Sequence, residues 1–160
     1  MCCQRPDTMD SINSTNKRFG TEKVGHQYHW EHFVFVTKYR RDVFFRYGGL
    51  MEVVRDAFYV SAEKYGMTIK ELSFGDDYEH VHLEVSMPNT MSVSTAAQLL
   101  KGYSSYVAFR QVPEIKGDYW GGNFWSSDYG NGSVGPRDEK VVQNYIRKQD
   151  VFGTIRQKIN

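Results

Sequence analysis

The chain has 160 residues, a net charge of +1, and 40% hydrophobic and 15% aromatic residues. This composition excludes a disordered chain, and the length suits one globular domain with a real core. The only cysteines, Cys2 and Cys3, are adjacent, which excludes a disulfide framework and a CxxC zinc site.

Residues 1–26 are polar and predict a flexible extension before a single domain over residues 27–160. They lack the apolar core of a signal peptide, and the sequence has no run of about 18 apolar residues that would span a bilayer. With the cysteine usage, this predicts a cytoplasmic protein.

Residues 28–39 are rich in aromatic and β-branched side chains and predict a central strand. Apolar residues at helical spacing then predict a helix from Leu50 to Tyr65, which Gly66 ends. Residues 67–74 predict a second strand. Its alternation slips between Ile69 and Leu72, which a bulge would explain.

A third strand is predicted over residues 79–87, and Ser92 begins a second amphipathic helix that ends near Arg110. Residues 120–127 predict the last strand, and residues 128–136 a glycine-rich loop. A third helix then begins near Pro136 or Asp138. This order predicts an α+β, ferredoxin-like (split βαβ) fold: an antiparallel sheet with helices on one face and an extra C-terminal helix.

The sequence HVHLEVSM places His80 and His82 on one face of the third strand, with Glu84 behind them. Tyr145 and Gln149 lie one helical turn apart on the last helix. Two imidazoles, one amide oxygen and a neighbouring phenol would form an open metal site beside a nucleophile. Mixed nitrogen and oxygen ligands suit Mg²⁺ or Mn²⁺ with a phosphate.

Each of these residues alone also has an ordinary explanation. Two histidines on a strand can simply face solvent, and a helical tyrosine is usually a core residue with a hydrated hydroxyl. His29 and His32, three apart on the first strand, would face opposite sides, and we expect structural or surface roles for them. Glu84 can support a metal or lie on a polar edge.

Five segments in order resemble a known family: HWEHFVFVTKYRR, HVH, LKGYSSY, WGGNFW and YIRKQ. Together they are similar to the single-tyrosine HUH transposases of small bacterial and archaeal insertion sequences, over about residues 28–149. The resemblance implies His80, His82 and Gln149 as metal ligands and Tyr145 as the nucleophile. It further implies a homodimer in which the tyrosine helix of one subunit completes the site of the other.

By this resemblance the chain would cleave and rejoin single-stranded DNA at hairpin-bearing element ends through a 5′-phosphotyrosine. Basic side chains would contact the DNA, and the candidates are Lys38, Arg40, Arg41, Lys101 and Arg147. The chain departs from the family pattern at Glu79, where aspartate is common, and at Glu84, where an apolar residue is expected. Residues 128–135 are also more glycine-rich than the strand-like stretch expected there.

Two alternatives remain open from the sequence. The first is a non-catalytic ferredoxin-like module whose exposed aromatic residues stack with unpaired bases. The second is another HUH endonuclease, a replication initiator or a relaxase, although those usually carry further domains or a longer histidine cluster.

Overall fold

The computed structural model describes residues 28–135, 138 and 140–148. Residues 140–148 are helical. The other elements, in chain order, are β1 (Tyr28–Thr37), a 3-10 turn (Lys38–Arg40), α1 (Val43–Arg46), α2 (Leu50–Lys64), β2 (Thr68–Phe74), β3 (His80–Pro88), α3 (Val93–Gln111), a second 3-10 turn (Pro113–Gly117) and β4 (Trp125–Ser133).

The four strands form one antiparallel sheet in the order β2-β3-β1-β4. This is the predicted ferredoxin-like arrangement, and the prediction of an α+β fold is confirmed. The predicted extension over residues 1–26 lies outside the described residues. Among the described helices, none has the length and apolar character that a membrane crossing requires.

The two long helices form where apolar side chains recur at helical spacing. Leu50, Val54 and Phe58 on α2 are fully buried. On α3, the N-cap Ser92 accepts a hydrogen bond from the Thr95 backbone N–H at 3.1 Å, which satisfies one free donor of the first turn. Both predicted helices are therefore present, with bounds close to those expected.

The sheet presents two different faces because successive side chains of a strand alternate. Phe33, Phe35 and Leu83 are fully buried in the hydrophobic core on one face. The opposite face carries His82, which pairs with Val34, and Glu84, which pairs with His32. This second face carries the predicted metal ligands of the sheet.

Two details of the sheet bear on the predicted strands. The register of β2 against β3 shifts between Ile69 and Glu71, so the predicted bulge is confirmed. The prediction of the last strand was wrong: β4 runs from Trp125 to Ser133 through most of the predicted glycine-rich loop.

The glycine-rich segment can form a strand because strand pairing uses main-chain N–H and C=O groups, which glycine has like other residues. β4 continues along β1 with Gly130 opposite Val34 and Ser133 opposite Glu31. The Ser133 hydroxyl donates to the Glu31 carboxylate at 2.7 Å, which fixes the far end of the strand. The preceding segment contains Gly122 at a φ of 74° and forms a turn rather than a strand.

Candidate metal and tyrosine site

The two histidines of β3 point their ring nitrogens at each other. The Nε2 atoms of His80 and His82 are 3.0 Å apart, and the two rings stand nearly perpendicular at 80°. His82 is almost fully buried, and His80 is half-buried. The fold therefore brings two ring nitrogens to one point on the open face of the sheet.

The turn between β2 and β3 orients His80. The Nδ1 of His80 lies 2.8 Å from Asp77 Oδ2 and 2.6 Å from Oδ1, so the ring donates to this carboxylate and keeps its Nε2 lone pair free. Asp77 also accepts a hydrogen bond from the Glu79 backbone N–H at 3.0 Å. Asp77 was not among the residues predicted from the sequence, although its position three residues before His80 was visible.

Gly75 makes room for this ring. A Cβ at position 75 would lie 2.0 to 2.5 Å from three ring atoms of His80, so the ring or the backbone would have to shift. The Gly75 N–H also donates to the His80 carbonyl at 2.8 Å and closes the turn. The ring of His80 therefore depends on a glycine at this position.

His32 orients the second imidazole. Its Nε2 lies 3.1 Å from His82 Nδ1, with the ring planes 18° apart and the centroids 5.3 Å apart. A linear hydrogen bond between coplanar rings requires nearly this separation, so the rings meet edge to edge. The sequence predicted a structural or surface role for His32, whereas the structure joins it to the histidine pair. The contact between His32 and His82 could have been predicted only if the pairing register of β1 against β3 had been known.

The electrostatics of the cluster keep His82 neutral. Burial, followed by the nearby His80 and His32, lowers the pKa of His82 to about 4. Burial also lowers the pKa of His32. Near neutral pH, His82 is therefore an uncharged donor, which is the form that binds a cation.

The geometry of the pair fits a small divalent cation. Two ligands at right angles, each about 2.1 Å from a cation, lie about 3.0 Å apart, which matches the separation of the two Nε2 atoms. Within the described residues, no group of three or more His, Cys, Asp or Glu side chains could hold a metal ion. The predicted third ligand, Gln149, is of another type and lies outside the described residues.

Tyr145 lies against this pair within the same chain. Its ring meets the ring of His82 edge to face, with centroids 5.6 Å apart and planes at 88°. The side chain remains half exposed, at 50%. A phenol that borders the histidines and stays open to solvent can reach a substrate held there.

An ion pair fastens the tyrosine segment to the sheet. Arg147 Nε donates to Glu71 at 2.8 Å, and Glu71 lies opposite Glu84 in the β2–β3 ladder. Two carboxylates opposite each other repel, so the guanidinium compensates them. The hydrogen bond and charge of Glu71, with a smaller effect of the buried Glu84, raise the pKa of Arg147.

The other basic candidates have partners in the chain. Arg40 pairs with Glu79, Arg41 with Asp118, and the Lys101 ammonium donates to the carbonyl of Ser126 at 2.6 Å. Burial lowers the pKa of Lys101. The Lys38 ammonium lies 5.5 Å from the centre of the Tyr39 ring. These contacts within the chain do not test a role in DNA binding, so the DNA contacts of these residues stay predictions.

The chain belongs to the family of IS200-like transposases, whose family model matches residues 26–149. Membership implies an enzyme that cleaves DNA and transfers strands. The family assignment made from the five motifs is therefore confirmed.

Named relatives agree with this assignment. The chain is 34% identical over 118 residues to the transposase for insertion sequence element IS200 of Salmonella typhimurium, covering 74% of each chain. It is 30% identical over 128 residues to the ISDra2 transposase TnpA of Deinococcus radiodurans, covering 78% of this chain and 87% of the relative.

Solved structures share the fold. A crystal structure of a protein described as a transposase from Deinococcus radiodurans R1 matches with a TM-score of 0.61 and 25% identity, over 76% of this chain and 91% of that one. A REP-associated tyrosine transposase, solved bound to a REP hairpin, matches with a TM-score of 0.53 and 15% identity. That match covers 74% of this chain and 64% of the other, and shows the shared fold alone.

Proposed function

We propose that this transposase cleaves and rejoins single-stranded DNA at hairpin-bearing ends of an insertion sequence, through a 5′-phosphotyrosine intermediate. The observation that carries the proposal is the Tyr145 ring packed edge-on against His82, whose Nε2 converges with that of His80. A nucleophile and a pair of cation ligands thus share one open surface.

In this mechanism Tyr145 attacks the backbone phosphorus. A protonated phenol is a weak nucleophile, so the attack needs electrophilic assistance at the phosphate. His80, His82 and Gln149 would hold Mg²⁺ or Mn²⁺, and the ion would withdraw charge from the phosphate oxygens. Asp77 and His32 keep the two imidazoles aimed.

The bonds balance without an external energy source. The Tyr145 oxygen forms an ester bond to phosphorus, the bond from phosphorus to the 3′ oxygen breaks, and that oxygen takes up a proton. A different 3′-hydroxyl then attacks the phosphotyrosine, so a new phosphodiester forms and the phenol is regenerated. No nucleotide hydrolysis is required, and the sequence contains no Walker-type GxxxxGK[ST] loop.

Two further parts of the proposal concern partners. The REP hairpin bound by the REP-associated relative supports a hairpin as the DNA bound here. A homodimer with shared sites follows from the family resemblance. In the single chain, Tyr145 contacts its own His82, so the same residues can also meet within one subunit.

The test is the formation of a covalent protein–DNA adduct. A labelled single-stranded hairpin with Mg²⁺ should yield an adduct that survives denaturing electrophoresis, and Tyr145→Phe should abolish it while hairpin binding persists. Tyr59→Phe, at a tyrosine 45% exposed on α2, is the matched control and should leave the adduct unchanged. An adduct formed equally by the Tyr145→Phe variant would refute the assignment. A chain that binds the hairpin and never forms the adduct would instead be the non-catalytic binding module.

A further inference from the structure

The turn that follows β1 has an unfavourable backbone at two consecutive residues. Tyr39 has a φ of 63° and Arg40 a φ of 49°, in the left-handed region that bulky side chains rarely adopt. Such conformations persist only where the surroundings impose them, and they cluster at functional sites. The turn therefore requires an explanation beyond connecting two elements.

Hydrogen bonds on both sides impose this conformation. The Thr37 hydroxyl donates to the Arg41 carbonyl at 2.8 Å and so spans the turn. The Thr37 N–H donates to the Glu79 carbonyl, and Arg40 Nε donates to the Glu79 carboxylate, both at 2.8 Å. The backbone that presents Tyr39 is thus fixed to Glu79, the residue that precedes β3.

The strained turn leaves Tyr39 in solvent among positive charges. Its side chain is 56% exposed, although burial would stabilise an aromatic ring. The Lys38 ammonium and the Arg41 guanidinium lie 5.5 and 5.7 Å from the ring centre. An exposed ring with cations around it is the surface on which proteins stack unpaired nucleobases.

A groove leads from this ring toward the histidine face. Tyr39 and Arg40 line a cavity of about 400 Å³ together with Val36, Asp128 and Gly130. Val36 pairs with His80 across the sheet, so the groove begins one strand away from the candidate metal site. The carboxylate of Asp128 disfavours a phosphate inside the groove and can accept a hydrogen bond from a base amino group.

We propose that Tyr39 is a stacking platform for one unpaired base of the DNA strand whose phosphate lies at the histidine pair. The base enters the groove toward Asp128, and the backbone runs along Lys38 and Arg40. This inference rests on the proposed function and assigns a DNA subsite to the Tyr39 turn.

The test measures base stacking under conditions in which the DNA is not cleaved. The full chain carrying Tyr145→Phe is kept in EDTA with a single-stranded oligonucleotide that contains 2-aminopurine, whose fluorescence falls on stacking. Adding Tyr39→Asn, which tolerates a left-handed backbone, should weaken binding about 5- to 150-fold and remove most of the quenching. Adding Tyr39→Trp instead should retain both.

Tyr106→Leu is the matched control because Tyr106 is 57% exposed, has the Arg110 guanidinium 6.0 Å from its ring centre, and lies on α3 in the helical layer. It should leave binding and quenching unchanged. Equal binding and quenching by the Tyr39→Asn variant would overturn the platform. The adduct assay with intact Tyr145 decides the proposed chemistry separately, so the two failures are distinguishable.

Discussion

Two polar clusters of this chain differ in the charges that they bring together. Asp118 accepts hydrogen bonds from Arg41 at 2.8 Å, Arg46 at 3.1 Å and the Tyr47 hydroxyl at 2.6 Å. The Tyr47 hydrogen bond, followed by the nearby arginines, lowers the pKa of Asp118. Every partner in this cluster has the complementary charge or donor, so the cluster stabilises itself.

The histidine row, which consists of His32, His82 and His80, has no opposite charge where its two β3 rings meet. His80 and His82 bring like nitrogens within 3.0 Å, and burial lowers the pKa of His82 to about 4. At this distance one ring can donate to the other, with the tautomer deciding which, whereas a cation between the rings would take both lone pairs. Fixed opposite charges therefore indicate a structural role for the Asp118 cluster, whereas converging ring nitrogens suit the histidine row to binding a cation.

The largest effect is expected when a predicted cation ligand is removed. His82→Val should reduce adduct formation about a thousandfold, because the charge stabilisation supplied by a metal is worth several kcal/mol. The thermal midpoint should stay unchanged or rise, since the buried valine compensates for the lost contact with His32. Adduct yield and the melting temperature check both parts.

His29→Val is the control for this variant, because His29 lies on the same sheet and its ring contacts Asn89, at 3.2 Å, rather than the histidine row. It should leave adduct formation unchanged. A large loss of stability in His82→Val with full activity would assign the histidine row a structural role.

A second variant pair addresses the orientation of His82. His32→Phe should weaken Mn²⁺ binding about 10- to 100-fold, because the partners of a metal ligand fix its ring and its tautomer. His32→Gln offers a carbonyl oxygen to His82 Nδ1 and should recover most of the affinity. Calorimetric titration with Mn²⁺ measures both, and equal affinities for the two variants would contradict the orienting role.

The same comparison predicts a stability effect at the other cluster. Asp118→Asn should destabilise the fold by about 2 kcal/mol, since hydrogen bonds to a charged group are lost. Adduct formation per folded molecule should stay near the parent level. Urea unfolding measures the first quantity. A catalytic defect in fully folded protein would show that the two clusters are coupled.

The smallest expected effect is a change with pH in the stability difference between the parent protein and Asp118→Asn. Because the folded pKa of Asp118 lies below the unfolded value of 3.8, its stabilisation is present above pH 3.8 and is lost as pH falls toward the folded pKa. The free-energy gap between parent and Asp118→Asn should therefore shrink below about pH 4. A gap that stays constant down to the acid transition would contradict the assignment.

Much of the fold could be predicted from side-chain patterns. The alternation on β3 placed His80 and His82 on one face, and the slip near Ile69 located the bulge. β4 was misplaced because its pairing with β1 runs through glycines, which carry no side-chain pattern.

Strand and helix geometry alone could predict the candidate site only where residues share an element, and the family resemblance supplied the pairing of Tyr145 with the histidines. His80 and His82 are two apart on β3, so strand geometry alone brings their rings together. His32 approaches His82 through the register of β1 against β3, which the sequence does not encode locally. Asp77 acts through the conformation of a turn, where patterns of polarity carry little information.

Gly75 packs against the ring of His80 and therefore controls the orientation of this predicted ligand. Because the imidazole occupies the volume that a methyl group at position 75 would need, Gly75→Ala leaves every coordinating side chain in the chain and misdirects one of them. The orientation of a coordinating side chain can thus be changed in this molecule, by adding one methyl group, without removing any coordinating side chain.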